Sequence, residues 1–153
     1  MGPGIEIGQV PRASLPINPT FQWSVGNWMD RFYDGLKEGK LWASKCPGCG
    51  RVHLPPRMVC ERCFTKCEEW VELPETGTVQ SYTVAHVKVG ANGEFEELPQ
   101  PEVIALVKQD GADTCVAARL EGGNASVGMK VKVVIDPEAE NFVNMLAGYR
   151  PAE

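Results

Sequence analysis

The chain has 153 residues, of which 43% are hydrophobic and 23% charged, and it carries a formal net charge of −5. That composition belongs to an ordinary soluble globular protein, long enough for one domain with a real core or for a small domain with an appendage. No run of about eighteen apolar residues is present to span a membrane, and acids outnumber bases by 20 to 15, which tells against a non-specific nucleic-acid binder that must release counterions with a cationic surface. The opening Met1-Gly2-Pro3-Gly4-Ile5-Glu6 has neither the basic region nor the apolar run of a signal peptide. Free paired thiols would be oxidised on a secretory route, so the expected compartment is reducing and cytoplasmic.

Residues 1–20 hold Pro3, Pro11, Pro16 and Pro19 and show no apolar period. They read as a flexible N-terminal arm. Residues 21–45 read as a helical segment and a lead strand. Trp28, Phe32 and Leu36 fall at i, i+4 and i+8, with Met29 and Tyr33 beside them, which gives a helix of about ten residues with one wide apolar stripe. Ser24 or Asn27 can cap its start, and Gly35 and Gly39 supply stop signals. The stripe is strongly aromatic. It either packs on the cysteine-bearing ribbon C-terminal to it or, with Phe21 and Trp23, lies on a partner protein, since Trp and Tyr are enriched at interfaces. Leu41 and Trp42 then belong to a short strand over Lys40–Lys45.

Residues 46–73 carry the strongest signal. Cys46, Cys49, Cys60 and Cys63 form two C-x2-C pairs ten residues apart, a spacing that sets four thiolates around one tetrahedral ion. Gly48 and Gly50 flank Cys49, so backbone amides can turn toward the sulfurs without a Cβ in the way. Pro55-Pro56 breaks any helix between the pairs. Lys45, Arg51, Arg57 and Arg62 lie around the cluster and offset its negative charge. A shell of four cysteines leaves no open position for water, so the site holds structure. Zinc is the expected ion. Iron would use the same ligands, and C-P-G-C-G looks like a rubredoxin knuckle, but Phe64 stands where a matching glycine would follow the second pair. Cys67 reads as a reduced thiol outside the filled shell. Trp70 to Leu73 alternates and closes the ribbon before Pro74.

Residues 74–153 read as β structure. Strands are expected over Thr78–Val89, Val103–Lys108, Thr114–Leu120, Met129–Ile135 and Phe142–Leu146, with Gly90 to Pro101 as a loop and turns at Asp110–Asp113 and Glu121–Asn124. Five short strands at this length suit a small closed barrel of the oligonucleotide/oligosaccharide-binding (OB) type. The fold class is therefore mainly β: an N-terminal helix, a rubredoxin-like zinc ribbon, then a small OB-type barrel. Cys115 reads as a small apolar core residue in mid-strand. His53 and His86 read as packed or surface imidazoles, and no nucleophile–base pair, Gly-rich phosphate loop or G-x-S-x-G is present.

These parts in this order resemble the family of acyl-CoA-associated proteins that join a rubredoxin-like zinc ribbon to an OB fold. The matching stretches are the helix, C-x2-C-G-R with P-P-R before the second C-x2-C, G-T-V-x-S-Y-T-V, the prolines Pro99 and Pro101 leading into V-I-A-L-V, and G-M-K-V-K-V-V. The resemblance covers roughly residues 21 to 149. One departure is C-E-R-C, where the family more often has proline after the third cysteine; the ligands are unaffected. The resemblance implies an accessory subunit of a hetero-oligomer with a thiolase-family protein, with a coenzyme A thioester as ligand of the complex and structural Zn2+ on Cys46, Cys49, Cys60 and Cys63. It implies no catalytic residue on this chain, which fits the absence of a cysteine nucleophile with acid–base partners. Docking through Phe21, Trp23, Trp28, Phe32 and Trp42 is expected, because these exceed what a small ribbon can hide, with Lys45, Arg51, Arg57 and Arg62 as a basic rim for the CoA phosphates. Two other readings stay open. One is a nucleic-acid-binding OB protein using Tyr82 and Phe95 for base stacking; the other is an iron electron carrier.

Overall fold

The computed structural model describes residues 26–90, 93–141 and 144–152. The arm expected at 1–20, together with Phe21, Trp23 and Ser24, lies outside the described residues. The helix, α1, runs Gly26–Lys37. Its stripe turns inward as the spacing requires: Phe32 and Leu36 are buried, and Met29 and Tyr33 pack beside them. The end is built by Gly39, whose φ of 72° suits a residue without a Cβ. Its N–H donates to Leu36 O (3.0 Å) and the Lys40 N–H donates to Gly35 O (2.8 Å), the pair of bonds that closes a helix C-terminus.

Three short strands come next: β1 Leu41–Lys45, β2 Val52–His53 and β3 Glu69–Leu73. They form an antiparallel sheet in the order β2-β1-β3. Five more strands make the second layer: β4 Thr76–Val89, β5 Phe95–Gln109, β6 Cys115–Leu120, β7 Lys130–Ile135 and β8 Leu146–Pro151. They close into a barrel in the order β4-β5-β6-β8-β7, with β7 returning to β4 and with β6 and β8 parallel. This is the OB arrangement. Its core is Val79, Val103, Ala105, Val107, Leu120, Val131, Val133 and Tyr149. Alternation puts Val131 and Val133 inside and Lys130 and Lys132 outside.

Three expectations are corrected. The stretch from Glu94 to Pro101 is not a loop, because β5 already begins at Phe95. Ala85 pairs with Glu102 and Val87 with Glu97, so four residues of β5 stand opposite His86 alone. Pro99 and Pro101 fall in that bulge, where the ladder does not need the N–H they lack. The last strand runs not over Phe142–Leu146 but over Leu146–Pro151; Phe142 itself is outside the described residues. Tyr149, fully buried, is the side chain that anchors it, and Gly148 allows its backbone to approach the Arg119 carbonyl where any Cβ would collide. Cys115 is not a mid-strand core residue. It opens β6 and is half-buried, and Val116 beside it fills the core.

The two layers share a second core. Phe32, Leu36, Leu41, Ala43, Leu54 and Leu73 pack with Ala112, Val116 and Met145 from the barrel side. A clasp of four hydrogen bonds reinforces this seam. Val52 N–H donates to Asp113 Oδ2 (2.9 Å), and Asp113 N–H donates to Val52 O (2.8 Å). Leu54 N–H donates to Thr114 Oγ1 (2.7 Å), whose hydroxyl donates back to Leu54 O (2.8 Å). Thr114→Val keeps the shape and leaves both Leu54 groups without this partner. It is expected to lower stability by about 1–3 kcal/mol, read as a lower urea midpoint at unchanged m-value. At the joint between the layers, buried Gln109 donates through Nε2 to Pro74 O (2.6 Å) and accepts from the Tyr149 hydroxyl (3.0 Å).

Candidate metal centre

β1 delivers Cys46 directly after Lys45. The chain then turns so that Gly50 N–H donates to Cys46 O (2.8 Å), while Cys46 N–H donates to Arg51 O (2.8 Å). Fourteen positions later the same turn recurs: Phe64 N–H donates to Cys60 O (3.0 Å) and Cys60 N–H to Thr65 O (3.0 Å). Both turns need a left-handed residue after the second cysteine. Gly50 supplies it at φ 75°, and Phe64 supplies it at φ 58°. The missing glycine of the second knuckle therefore changes the residue and not the geometry. Phe64 carries this conformation while 80% exposed, a combination without local benefit, since the left-handed region costs a side-chain-bearing residue about 1–2 kcal/mol. Phe64→Gly is expected to raise stability by about 0.5–1 kcal/mol, the relief of strain less the entropy a glycine loses on folding, measured by denaturant titration of the metal-loaded protein.

The two turns face each other. Cys46 Sγ lies 3.4 Å from Cys63 Sγ and Cys49 Sγ lies 3.6 Å from Cys60 Sγ. All four sulfurs lie within 4.8 Å of one another. Ligands about 2.3 Å from a tetrahedral ion would stand about 3.8 Å apart, so the four cysteines are positioned for a zinc ion. A Cβ at Gly48 would sit 2.7 Å from Thr65 Oγ1 and 3.4 Å from Cys63 Sγ, so the approach of the knuckles depends on glycine there. Cys46 and Cys60 are buried, and Cys49 and Cys63 face outward. The Arg62 N–H donates to Cys60 Sγ (3.4 Å).

Hydrogen bonding from the Thr65 hydroxyl and backbone, with help from Cys46, pulls Cys63 down to about 6. The Arg51 amide also lowers Cys49, but desolvation and the thiols of Cys60, Cys46 and Cys63 outweigh it and push Cys49 up to about 12. A divalent cation bound by the four sulfurs would hold them all as thiolates.

Around the four sulfurs the structure sorts the remaining candidates. Cys67 is fully buried, and desolvation with the adjacent Cys46 and Cys60 pushes its thiol up to about 11. Its carbonyl accepts the Trp28 indole N–H (2.8 Å), which ties α1 to the second knuckle. His53 is a packed imidazole, fully buried, with Nδ1 3.1 Å from Glu61 Oε2. His86 is exposed on β4, opposite the bulge of β5. Of the four bases expected as a rim, Lys45 pairs with Glu69 (3.6 Å) and Arg51 with Glu61 (3.1 Å). Arg57 and Arg62 are exposed and have no ion pair among the described residues.

The aromatic stripe is also corrected. Phe32 is in the core, and Trp28 and Trp42 are half-buried with partners in their own chain. Arg31 lies over the rings of Trp42 (5.2 Å) and Trp70 (4.8 Å), and Lys66 lies over Trp28 (5.6 Å). These rings serve the helix–ribbon contact, so the small ribbon hides more than its size promised. Thr65, Asp113 and Thr114 were missed from sequence, where nothing in their local pattern marks them.

Family profiles match both layers. The "ChsH2, rubredoxin-like zinc ribbon domain" matches residues 34–69 and the "ChsH2, C-terminal OB-fold domain" matches residues 70–136. A DUF35 domain-containing scaffold protein of Methanocaldococcus jannaschii is 34% identical over 93 residues, 59% of this chain. The chain spans 63% of the length of that curated relative. A crystal structure of a DUF35-family protein of unknown function from Sulfolobus solfataricus is 37% identical with a TM-score of 0.59, covering 71% of this chain and 78% of that one. The Ltp2-ChsH2(DUF35) aldolase shares the fold, with a TM-score of 0.62 at 24% identity over 86% of this chain and 100% of that chain. Among the described residues no helix is long and apolar enough to cross a membrane. With the zinc-ribbon and OB profiles adjoining at residues 69 and 70, and with relatives that share both layers, the chain belongs to the DUF35 family.

Proposed function

We propose that this chain is a zinc-stabilised accessory subunit, without a reaction of its own, in a complex with an acyl-CoA thiolase or thiolase-like enzyme. Cys46, Cys49, Cys60 and Cys63 are the metal ligands in this reading, and the zinc holds structure because four thiolates fill its shell. The observation that carries the proposal is this centre set in a DUF35 fold, whose relatives include one called a scaffold protein and one forming part of an aldolase. The chain would help to hold the CoA thioester on the partner, and the partner would supply the nucleophile and the acid–base groups. The finer assignment we carry is the small subunit of a benzoylsuccinyl-CoA thiolase of anaerobic toluene breakdown.

Purification from native cells tests the reading. A thiolase-family protein should accompany the chain, the isolated chain should cleave no 3-oxoacyl-CoA, and the recombined pair should do so, with benzoylsuccinyl-CoA in the substrate panel. Unaided cleavage by the isolated chain would overturn it, as would the absence of such a partner. The aldolase relative favours one variant of the same reading, in which the recombined pair splits a 3-hydroxyacyl-CoA by retro-aldol chemistry instead. The nucleic-acid reading meets an obstacle in the site itself: Phe95 is exposed for stacking, but Glu94, Glu96 and Glu97 flank it. At about 150 mM salt no binding to single-stranded DNA or RNA is expected; micromolar affinity with a steep salt slope would put that reading first. An iron centre would announce itself by visible absorption.

A further inference from the structure

β4 and β5 run well past the barrel they help to close. β7 pairs with β4 only over Thr76–Thr78, and Val79 adds bonds to Met129 O (3.0 Å) and from Gly128 N–H (2.8 Å). β6 pairs with β5 only over Val103–Lys108. Among the described residues no strand pairs with the outer side of β4 over 81–89: its residues 81–84 pair with 103–106 of β5, which β6 backs, and only 85–89 with 95–102 stand as a two-stranded ribbon. A two-stranded ribbon alone in water is marginal at best. This one also exposes Val87, Val89 and Phe95, the last by 76%, and the β4 edge leading into it exposes Tyr82 and Val84.

Its two edges are built differently. β5 carries Glu96, Glu97, Pro99, Pro101 and Glu102, the charges and prolines that stop another strand from pairing. β4 reads Ser81-Tyr82-Thr83-Val84-Ala85-His86-Val87, with no acid, no lysine or arginine and no proline. An open edge of strand-favouring residues is a template for an added strand. Charge selects what adds to it. Lys88 pairs with Glu96 (2.9 Å) and Arg119 with Glu102 (2.7 Å), while Glu94 and Glu97 have no ion pair among the described residues. A second copy would bring the same glutamates and another net −5, so the complementary occupant is a different protein with basic side chains beside its strand.

We propose that the β4 edge from Ser81 to Val87, with Val89 and its partner Phe95 beyond it, is the docking surface for the enzyme subunit, which adds a strand to β4 and sets lysine or arginine against Glu94 and Glu97. The inference rests on the accessory-subunit reading and names the surface that reading requires.

The test titrates the co-purifying enzyme subunit, separated and purified, against the full chain and its variants. Val87→Lys puts a charge on the open edge and should weaken binding roughly thirtyfold or more; Phe95→Ala should weaken it roughly tenfold or more. Glu97→Lys should slow association and flatten its salt dependence. Val127→Lys, on a still more exposed valine in the β6–β7 loop, and Phe64→Ala, at the ribbon tip, should bind as the parent does. Metal content and thermal unfolding confirm that each variant is folded, and Phe95→Ala serves if Val87→Lys is not. Parent-like binding by folded Val87→Lys and Phe95→Ala overturns the proposal. It is also overturned if the parent self-associates and Val87→Lys dissolves that dimer, since the occupant is then a second copy. A parent chain that binds no enzyme subunit at all is a different result: it removes the accessory-subunit reading, and this surface assignment with it.

Discussion

Serine in place of Cys60 is expected to release the metal and unfold the segment between the two knuckles. A closed site of this kind contributes its binding energy as folding energy, about 10–16 kcal/mol for small zinc modules at neutral pH. The ribbon has little else to replace it. Its strands are five, two and five residues long, and both Cys46 and Cys60 are fully buried. The barrel keeps its own core of Val79, Val107, Val131, Tyr149 and their neighbours, so it should persist while losing the face that Leu54 and Leu73 cover. The parent should hold close to one zinc per chain by elemental analysis, and Cys60→Ser close to none, with protease cutting confined to the ribbon. A parent that holds no zinc and no iron near that ratio would overturn the four-thiolate centre itself.

Leu36→Ala is expected to be the most destabilising change outside the metal shell, by about 2–5 kcal/mol. Leu36 is fully buried where the helix, the ribbon sheet and the barrel end meet. None of those neighbours can collapse inward without giving up its own register. Domains are stable by only about 5–15 kcal/mol, so the loss should appear as a large drop in thermal midpoint. Leu106→Ala is the matched control, because Leu106 is exposed on the barrel wall, and a surface change of this kind stays within about 0.5 kcal/mol. Equal effects from the two would mean that the seam is not the shared core described.

The cysteine spacing, the helix stripe and the alternation in β7 were legible because each is a local rule: a ligand distance, a period of 3.6 and a period of 2. What escaped was set by tertiary partners. Pro99 and Pro101 argue against a strand wherever the ladder needs their N–H, and only the register between β4 and β5 reveals a bulge that does not. Phe64 carries no signal of its left-handed backbone, since the second knuckle imposes it. Asp113 reads as the end of an ordinary turn and Thr114 as the start of a strand, and their bonds reach residues about sixty positions away. The aromatic surplus misled for a related reason: Arg31 and Lys66 cover rings that hydrophobicity alone would have placed at an interface.

All four tryptophans, Trp23, Trp28, Trp42 and Trp70, precede the barrel strands, and Tyr82 and Tyr149 are the tyrosines within them. Three of those indoles sit on the helix–ribbon side beneath Arg31 and Lys66. In a Trp23→Phe variant, indole emission, excited beyond the tyrosine band, therefore watches one layer while the strand signal in far-ultraviolet dichroism watches mainly the other. A single denaturant titration followed by both should say whether the layers melt together, and chelator added to the intact protein should move the indole signal first.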